Sequence, residues 1–237
     1  MDTVTLINKS RPFLEWVVGW YNGLVRLPLT EVVVKPERTV VLAVDVLRGF
    51  CYEGPLSSPR VAAIVPPIVR LFRAAYDLGV RSFVLPQEAH PADAIEFDSY
   101  GPHCIAGTRE AETVPELLEL SFADLFVVVP KNSVNPFMET GLGDWLDAHP
   151  ELDTYIVVGD CTDICTYQLA INLRLRANAR QRAGVRVIVP ADAADTYDLP
   201  VPVAAQLGAV PHDGDLLHLL FMYHLMLNGV QVVAGFE

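Results

Sequence analysis

Three residues of different chemical type stand at the ends of apolar runs in this sequence. Asp45 closes Val40-Val41-Leu42-Ala43-Val44, and Lys131 follows Phe126-Val127-Val128-Val129-Pro130. Cys165 lies a short turn beyond Tyr155-Ile156-Val157-Val158-Gly159, where a helical pattern begins. A thiolate is a strong nucleophile, and a helix N-terminus beside a lysine is expected to lower a thiol pKa. A carboxylate within reach can take the thiol proton and return it to a leaving group. Lys131 would keep Asp45 charged and stabilise the thiolate, and backbone N–H groups at the strand-to-helix turn could receive a developing oxyanion. Taken singly, each residue has an ordinary reading. An aspartate at a strand end caps a turn, a buried cysteine is a small inert hydrophobe, and a lone lysine is a solvated surface charge. Their joint placement favours chemistry.

A second group of donors lies in the long segment 87–113. Glu88, His90, Glu96 and His103 offer oxygen and imidazole ligands of the kind that Zn²⁺, Mn²⁺ or Fe²⁺ accepts. On spacing alone, a set of solvated loop residues is the better reading. A structureless stretch of this length inside a compact domain is nevertheless usually functional. His212, His218 and His224 belong to the C-terminal region and read as ordinary surface or core histidines.

The elements that must position these residues alternate in type. Strand patterns cover 39–45, 80–85, 125–130, 154–159, 185–189 and 230–234, and helical patterns cover 60–78, 141–148, 163–183 and 213–228. Short continuous Val- and Ile-rich runs suit a parallel sheet covered on both faces, and their alternation with helices points to a doubly wound α/β fold. In such a sheet ligands sit beyond the carboxyl ends of the strands, where Asp45, Lys131 and Cys165 are expected. Residues 1–36 stand apart as an N-terminal extension. Within 11–27, Phe13, Trp16, Val17, Trp20, Leu24 and Leu27 form roughly one helical face, which is expected to cover core surface of its own chain rather than dock on a neighbouring subunit.

Composition narrows the classes. The chain has 237 residues, 51% apolar and 19% charged, with a formal charge of −12. Such a chain can bury a sizeable core, and its acidity disfavours nucleic acid or an anionic membrane as partner. The N-terminus lacks the pattern of a secretory signal, and no apolar run is long enough to span a bilayer. The expectation is a cytoplasmic protein whose four cysteines, Cys51, Cys104, Cys161 and Cys165, stay reduced.

At these same residues the sequence resembles the nicotinamidase/isochorismatase-like cysteine hydrolases. Ala43-Val44-Asp45-Val46-Leu47-Arg48-Gly49-Phe50-Cys51 resembles the family's first motif, with its acid/base aspartate and a pocket phenylalanine. Pro130-Lys131, followed by Ser133 and Phe137, is similar to its lysine motif, and Gly159-Asp160-Cys161-Thr162-Asp163-Ile164-Cys165-Thr166 to its nucleophile motif. The three stand in family order over about residues 37–235. Pro86-Gln87-Glu88-Ala89-His90-Pro91 and Tyr100-Gly101-Pro102-His103-Cys104 resemble metal-binding segments of nicotinamidases, which reverses the reading of the loop on spacing alone. Glu96 stands where members carry a further ligand. Two departures are visible: Glu88 replaces the usual aspartate and would have to fold back to reach the same ion, and Ala89 replaces an aromatic residue that packs the substrate ring.

The resemblance implies a six-stranded parallel sheet of order 3-2-1-4-5-6 with helices on both faces, over residues 37–237, and a homo-oligomer. It implies a cis peptide bond between Asp160 and Cys161, with the N–H groups of Cys161 and Cys165 as the oxyanion hole. Asp45, Lys131 and Cys165 are then the catalytic residues, Phe50 and Phe137 the pocket walls, and Glu88, His90, Glu96 and His103 the ligands of a divalent metal, with no organic cofactor. The implied reaction is hydrolysis of a small amide, nicotinamide or a related aromatic amide, to the acid and ammonia through a thioester. Three alternatives stay open. Vinyl-ether hydrolysis as in isochorismatases needs no cysteine, a carbamoyl amide could be cleaved without metal, and a non-catalytic binding protein could use the same fold.

Overall fold

Six runs rich in valine and isoleucine build one parallel sheet. They are β1 (Thr39–Val44), β2 (Ser82–Glu88), β3 (Phe126–Lys131), β4 (Thr154–Gly159), β5 (Arg186–Pro190) and β6 (Gln231–Val233), and they lie in the order β3-β2-β1-β4-β5-β6. This is the expected 3-2-1-4-5-6. The computed structural model describes residues 1–237. The helices are α1 (Thr3–Asn22), α2 (Pro59–Asp77), α3 (Leu142–Ala148), α4 (Cys165–Ala179), α5 (Val201–Leu207) and α6 (Gly214–Leu227). None is long and apolar enough to cross a membrane.

The central strands β1 and β4 are buried along their whole length, so apolar residues occupy both faces, and the pleat sends successive side chains to opposite cores. Val41 and Ala43 pack with Ile64, Ile68 and Phe72 of α2 on one face. Val40, Leu42 and Val44 pack with Leu142 and Leu146 of α3, Leu169 of α4 and Met222 of α6 on the other.

Several boundaries differ from expectation. Strand β2 starts at Ser82 and runs on to Glu88, through Pro86. A proline in a run argues for ending the strand before it. Here pairing with β3 continues past it, and Glu88 comes into register with Lys131. Lys131 is therefore the last residue of its strand rather than the residue after it. The loop expected from residue 87 is not structureless: it holds a bridge between His90 and Ile105 and a helical turn over Phe97–Tyr100. Helix α4 begins at Cys165, not at 163, because Cys161–Ile164 form a turn whose Cys161 carbonyl accepts from the N–H groups of both Ile164 and Thr166.

The N-terminal helix starts eight residues earlier than its apolar face predicts. The Asp2 side chain caps it by accepting the N–H of Thr5. It ends at Asn22, and Leu27 falls instead in a two-residue strand, Arg26–Leu27, paired with Gly235–Phe236. The helix packs on α6 of its own chain. Val17 is fully buried, and Phe13, Trp16 and Trp20 surround the Tyr223 ring at 5.2, 5.9 and 6.3 Å.

The carboxyl ends of β1 and β4 approach closely at Gly159. Its φ of +119° suits glycine alone, and a Cβ there would lie 2.0 Å from the carbonyl oxygen of Val44. We predict that Gly159→Ala lowers stability by more than about 3 kcal/mol, read as a fall in the urea unfolding midpoint. A wild-type midpoint would contradict this approach.

Candidate functional site

The parallel register brings three strand ends to one point. Asp45 follows β1 with a φ of +55°, a region that aspartate tolerates better than most residues. One carboxylate oxygen, Oδ1, accepts the N–H of Glu88 at 2.8 Å. The other, Oδ2, lies 2.8 Å from Lys131 Nζ. Lys131 also meets Glu88 Oε1 at 2.9 Å and donates to Cys165 Sγ at 3.5 Å. The thiol in turn faces Glu88 Oε1 at 3.7 Å. The residues expected to converge, Asp45, Lys131 and Cys165, are thus together, and Glu88 joins them.

Burial governs the charges. All four side chains are nearly inaccessible to water. Burial pushes Asp45 up to about 6, against the pull of Lys131. Burial works against the Lys131 charge, but Asp45, Cys165 and Glu88 outweigh it and hold the ammonium well above the ordinary lysine range. Burial likewise pushes the Cys165 thiol well above its usual range, with Lys131 pulling the other way. This corrects the expectation of a lowered thiol pKa. Loss of water and two neighbouring carboxylates outweigh one ammonium, so the resting sulfur keeps its proton.

Cys165 opens α4. The peptide bond between Asp160 and Cys161 is cis. Neither the Cys161 N–H nor the Cys165 N–H donates a hydrogen bond within the chain, which leaves two free donors at the start of the helix. The Asp160 carboxyl behind them is pushed well up by burial, next to Asp45 and Glu88.

The metal-type donors also converge. One ligand atom each from Glu88, His90, Glu96 and His103 lies within 4.8 Å of the others. Glu88 reaches the cluster with its second oxygen, Oε2, at 2.9 Å from His103 Nε2 and 3.3 Å from His90 Nε2. The longer side chain is divided between the two centres. His90 Nδ1 meets Asn132 Oδ1 at 2.7 Å, and His103 Nδ1 meets the Gly101 carbonyl at 2.8 Å. Both partners only accept, so the Nδ1 atoms carry hydrogen and the Nε2 atoms face the centre.

His90 Nε2 and Glu96 Oε1 are buried without a hydrogen-bond partner. Burial lowers both imidazoles, but Glu88 outweighs it and raises them, while burial and Glu88 raise Glu96. All of this describes a space that calls for positive charge. Two carboxylates and two inward imidazole nitrogens, with His90 Nε2 and Glu96 Oε1 among them lacking a hydrogen-bond partner, fit a divalent cation.

Phe50 is buried, with its ring centroid 5.8 Å from that of His103. Phe137 is half-buried against the core that contains Cys165.

Several site neighbours escaped sequence reasoning. Asn132 stands next to Lys131, and that adjacency was a usable signal. His212 and His218 are not bystanders: His212 Nε2 meets Asp163 Oδ2 at 2.8 Å, and His218 Nδ1 meets Thr162 Oγ1 at 2.9 Å. Both anchors grip the turn before Cys165, across 49 and 56 residues of sequence, and nothing local announces them.

Comparison with known proteins agrees with this geometry. The isochorismatase domain model matches residues 39–208. Nicotinamidase 1 of Arabidopsis thaliana is 31% identical over 211 residues, covering 82% of this chain and 84% of that protein. Among solved structures, a cysteine hydrolase from Pseudomonas syringae pv. phaseolicola 1448A superposes with a TM-score of 0.67 at 24% identity, covering 89% of this chain and 92% of that one. The pyrazinamidase of Pyrococcus horikoshii, in complex with zinc, gives 0.63 at 20%, covering 83% and 98%. The chain belongs to the isochorismatase family and is a nicotinamidase-like hydrolase acting on carbon–nitrogen bonds.

Lys131 is the one ammonium facing two buried carboxylates. We predict that Lys131→Met lowers stability by ~3–5 kcal/mol, because Asp45 is then left buried with no counter-charge and Glu88 loses one of its partners. Urea unfolding reads this, and an unchanged midpoint would refute the ion-pair account.

Proposed function

We propose that this protein hydrolyses a small aromatic primary amide, with nicotinamide as the substrate to test first, through a thioester on Cys165. One observation carries the proposal: the Cys165 thiol sits between Lys131 and two carboxylates, at a helix start with two free N–H donors. Similarity to a protein named nicotinamidase supports the substrate.

Asp45 takes the thiol proton as sulfur attacks the amide carbon. The carboxylate, the thiol and Glu88 offer atoms within 4.8 Å of one another, and a base near 6 is matched to operation at neutral pH. Lys131 holds Asp45 in place and offsets the negative charge that builds on sulfur. The carbonyl oxygen becomes an oxyanion, held by the N–H groups of Cys161 and Cys165. Protonated Asp45 gives its proton to the amide nitrogen, the C–N bond breaks, and ammonia leaves a thioester. Water, deprotonated by Asp45, then attacks the thioester carbon. The C–S bond breaks, the acid departs and sulfur regains its proton.

Glu88, His90, Glu96 and His103 would hold a divalent cation. When bound it supplies a Lewis-acid anchor for a ring nitrogen or a bound water. Phe50 and Phe137 flank the ring, and Ala89 leaves the third side wider than an aromatic residue would.

Purified protein, as isolated and with Zn²⁺, Mn²⁺ or Fe²⁺ added, is expected to release ammonia from nicotinamide. Cys165→Ala should lose at least about 10³-fold in kcat while keeping its unfolding midpoint; full activity in that variant would sink the thioester route. Asn132→Ala, which frees the His90 ring, should weaken metal binding roughly 10–100-fold in a chelator competition titration. Wild-type affinity in that variant would remove the cluster's claim to a metal.

A further inference from the structure

The N-terminal helix, which ends at Asn22 and so precedes the matched family domain that starts at residue 39, ends on a contact that leads into the turn before Cys165. Tyr21 Oη meets His218 Nε2 at 2.8 Å, with the two rings edge to face at 5.5 Å. The other nitrogen of that imidazole, Nδ1, meets Thr162 Oγ1 at 2.9 Å. Both Tyr21 and His218 lie outside residues 39–208.

Thr162 is fully buried and stands between Cys161 and Cys165, whose N–H groups are the two free donors. Its own N–H donates to the Asp195 carbonyl at 3.0 Å, and Arg60 in turn holds Asp195 at 2.9 Å. The main chain of the turn is thus fixed by one anchor, and its side chain by another that runs through His218 to α1. The Tyr21 hydroxyl is the only hydrogen-bond partner of His218 Nε2. Without it a buried ring nitrogen loses its partner, and the imidazole is free to turn away from Thr162.

We infer that Tyr21 is a positioning residue: through His218 and Thr162 it sets the turn that aims the Cys161 and Cys165 amides at the oxyanion. The inference rests on the amidase reading above. An oxyanion hole works only when its donors are held before the reaction, so loosening the turn costs transition-state stabilisation more than ground-state binding.

The test is a double-mutant cycle of Tyr21→Phe and Thr162→Val, two residues that act on one another only through His218. Each single variant is expected to lose about 10-fold in kcat for nicotinamide, the worth of one hydrogen bond, with KM changed less than about twofold. The double variant should lose no more than the weaker single, and Thr162→Ser, which restores the hydroxyl, should recover most of the rate. Pyridine-3-carboxaldehyde forms a thiohemiacetal whose oxygen needs the same amides but no turnover. Its affinity should fall with kcat, while alkylation of Cys165 by iodoacetamide, which forms no oxyanion, keeps its wild-type rate. Wild-type kcat and aldehyde affinity in folded Tyr21→Phe, or losses that multiply in the double variant, would overturn the inference. Wild-type protein that binds the aldehyde but releases no ammonia would count against the nicotinamide reading alone, since aldehyde affinity still reads the turn.

Discussion

One buried ammonium organises this protein. Lys131 lies at the end of β3, out of water, within 2.9 Å of carboxylates that come from the ends of two other chain segments. No solvent is available to stabilise any of the three, so each depends on the others being in place. The parallel order β3-β2-β1 sets Lys131, Glu88 and Asp45 side by side. The two cores above and below the sheet can be seen as the frame that keeps the three strand ends in register. The same dry surroundings explain why the sulfur rests as a thiol and why a carboxylate near it holds its proton to about 6.

Around that centre, the turn from Gly159 to Cys165 does the remaining positioning. Gly159 lets β4 close against the Val44 carbonyl, the Cys161 carbonyl accepts the N–H groups of Ile164 and Thr166, and Thr162 and Asp163 are tied to two histidines from the C-terminal region. Rigidity here comes from hydrogen bonds to distant segments, not from the turn's own sequence. That is how the α1–α6 pair, packed on the opposite side of the sheet from α2, becomes connected to the reacting sulfur.

Much of this was legible in the sequence, for physical reasons. Apolar runs at strand length and the residues closing them located Asp45, Lys131 and Cys165, because a parallel sheet delivers strand ends to a common edge. The donor set 88, 90, 96 and 103 was legible as types but not, on spacing, as a cluster, since a loop's path is set by contacts that periodicity does not record. What stayed hidden was of two kinds. Local breaks were misjudged where tertiary pairing overrode a residue's preference, as when β2 ran through Pro86 to Glu88. Long-range polar ties, such as Tyr21 to His218 and His218 to Thr162, had no local signature at all. The thiol was misjudged because its pKa depends on how completely water is excluded, which no short motif encodes.

The division of Glu88 has a consequence for how this chain can change. Its two oxygens serve different neighbours, Lys131 on one side and the imidazole pair on the other. In a chain with an aspartate at that position, the side chain is one methylene shorter, and the spans now bridged by one residue would have to be covered by two. Substitutions at the nucleophile centre and in the donor loop are therefore not independent here. A change that suits one is felt by the other through a single carboxylate, and the route back to the shorter side chain passes through sequences in which one of the two centres is incomplete.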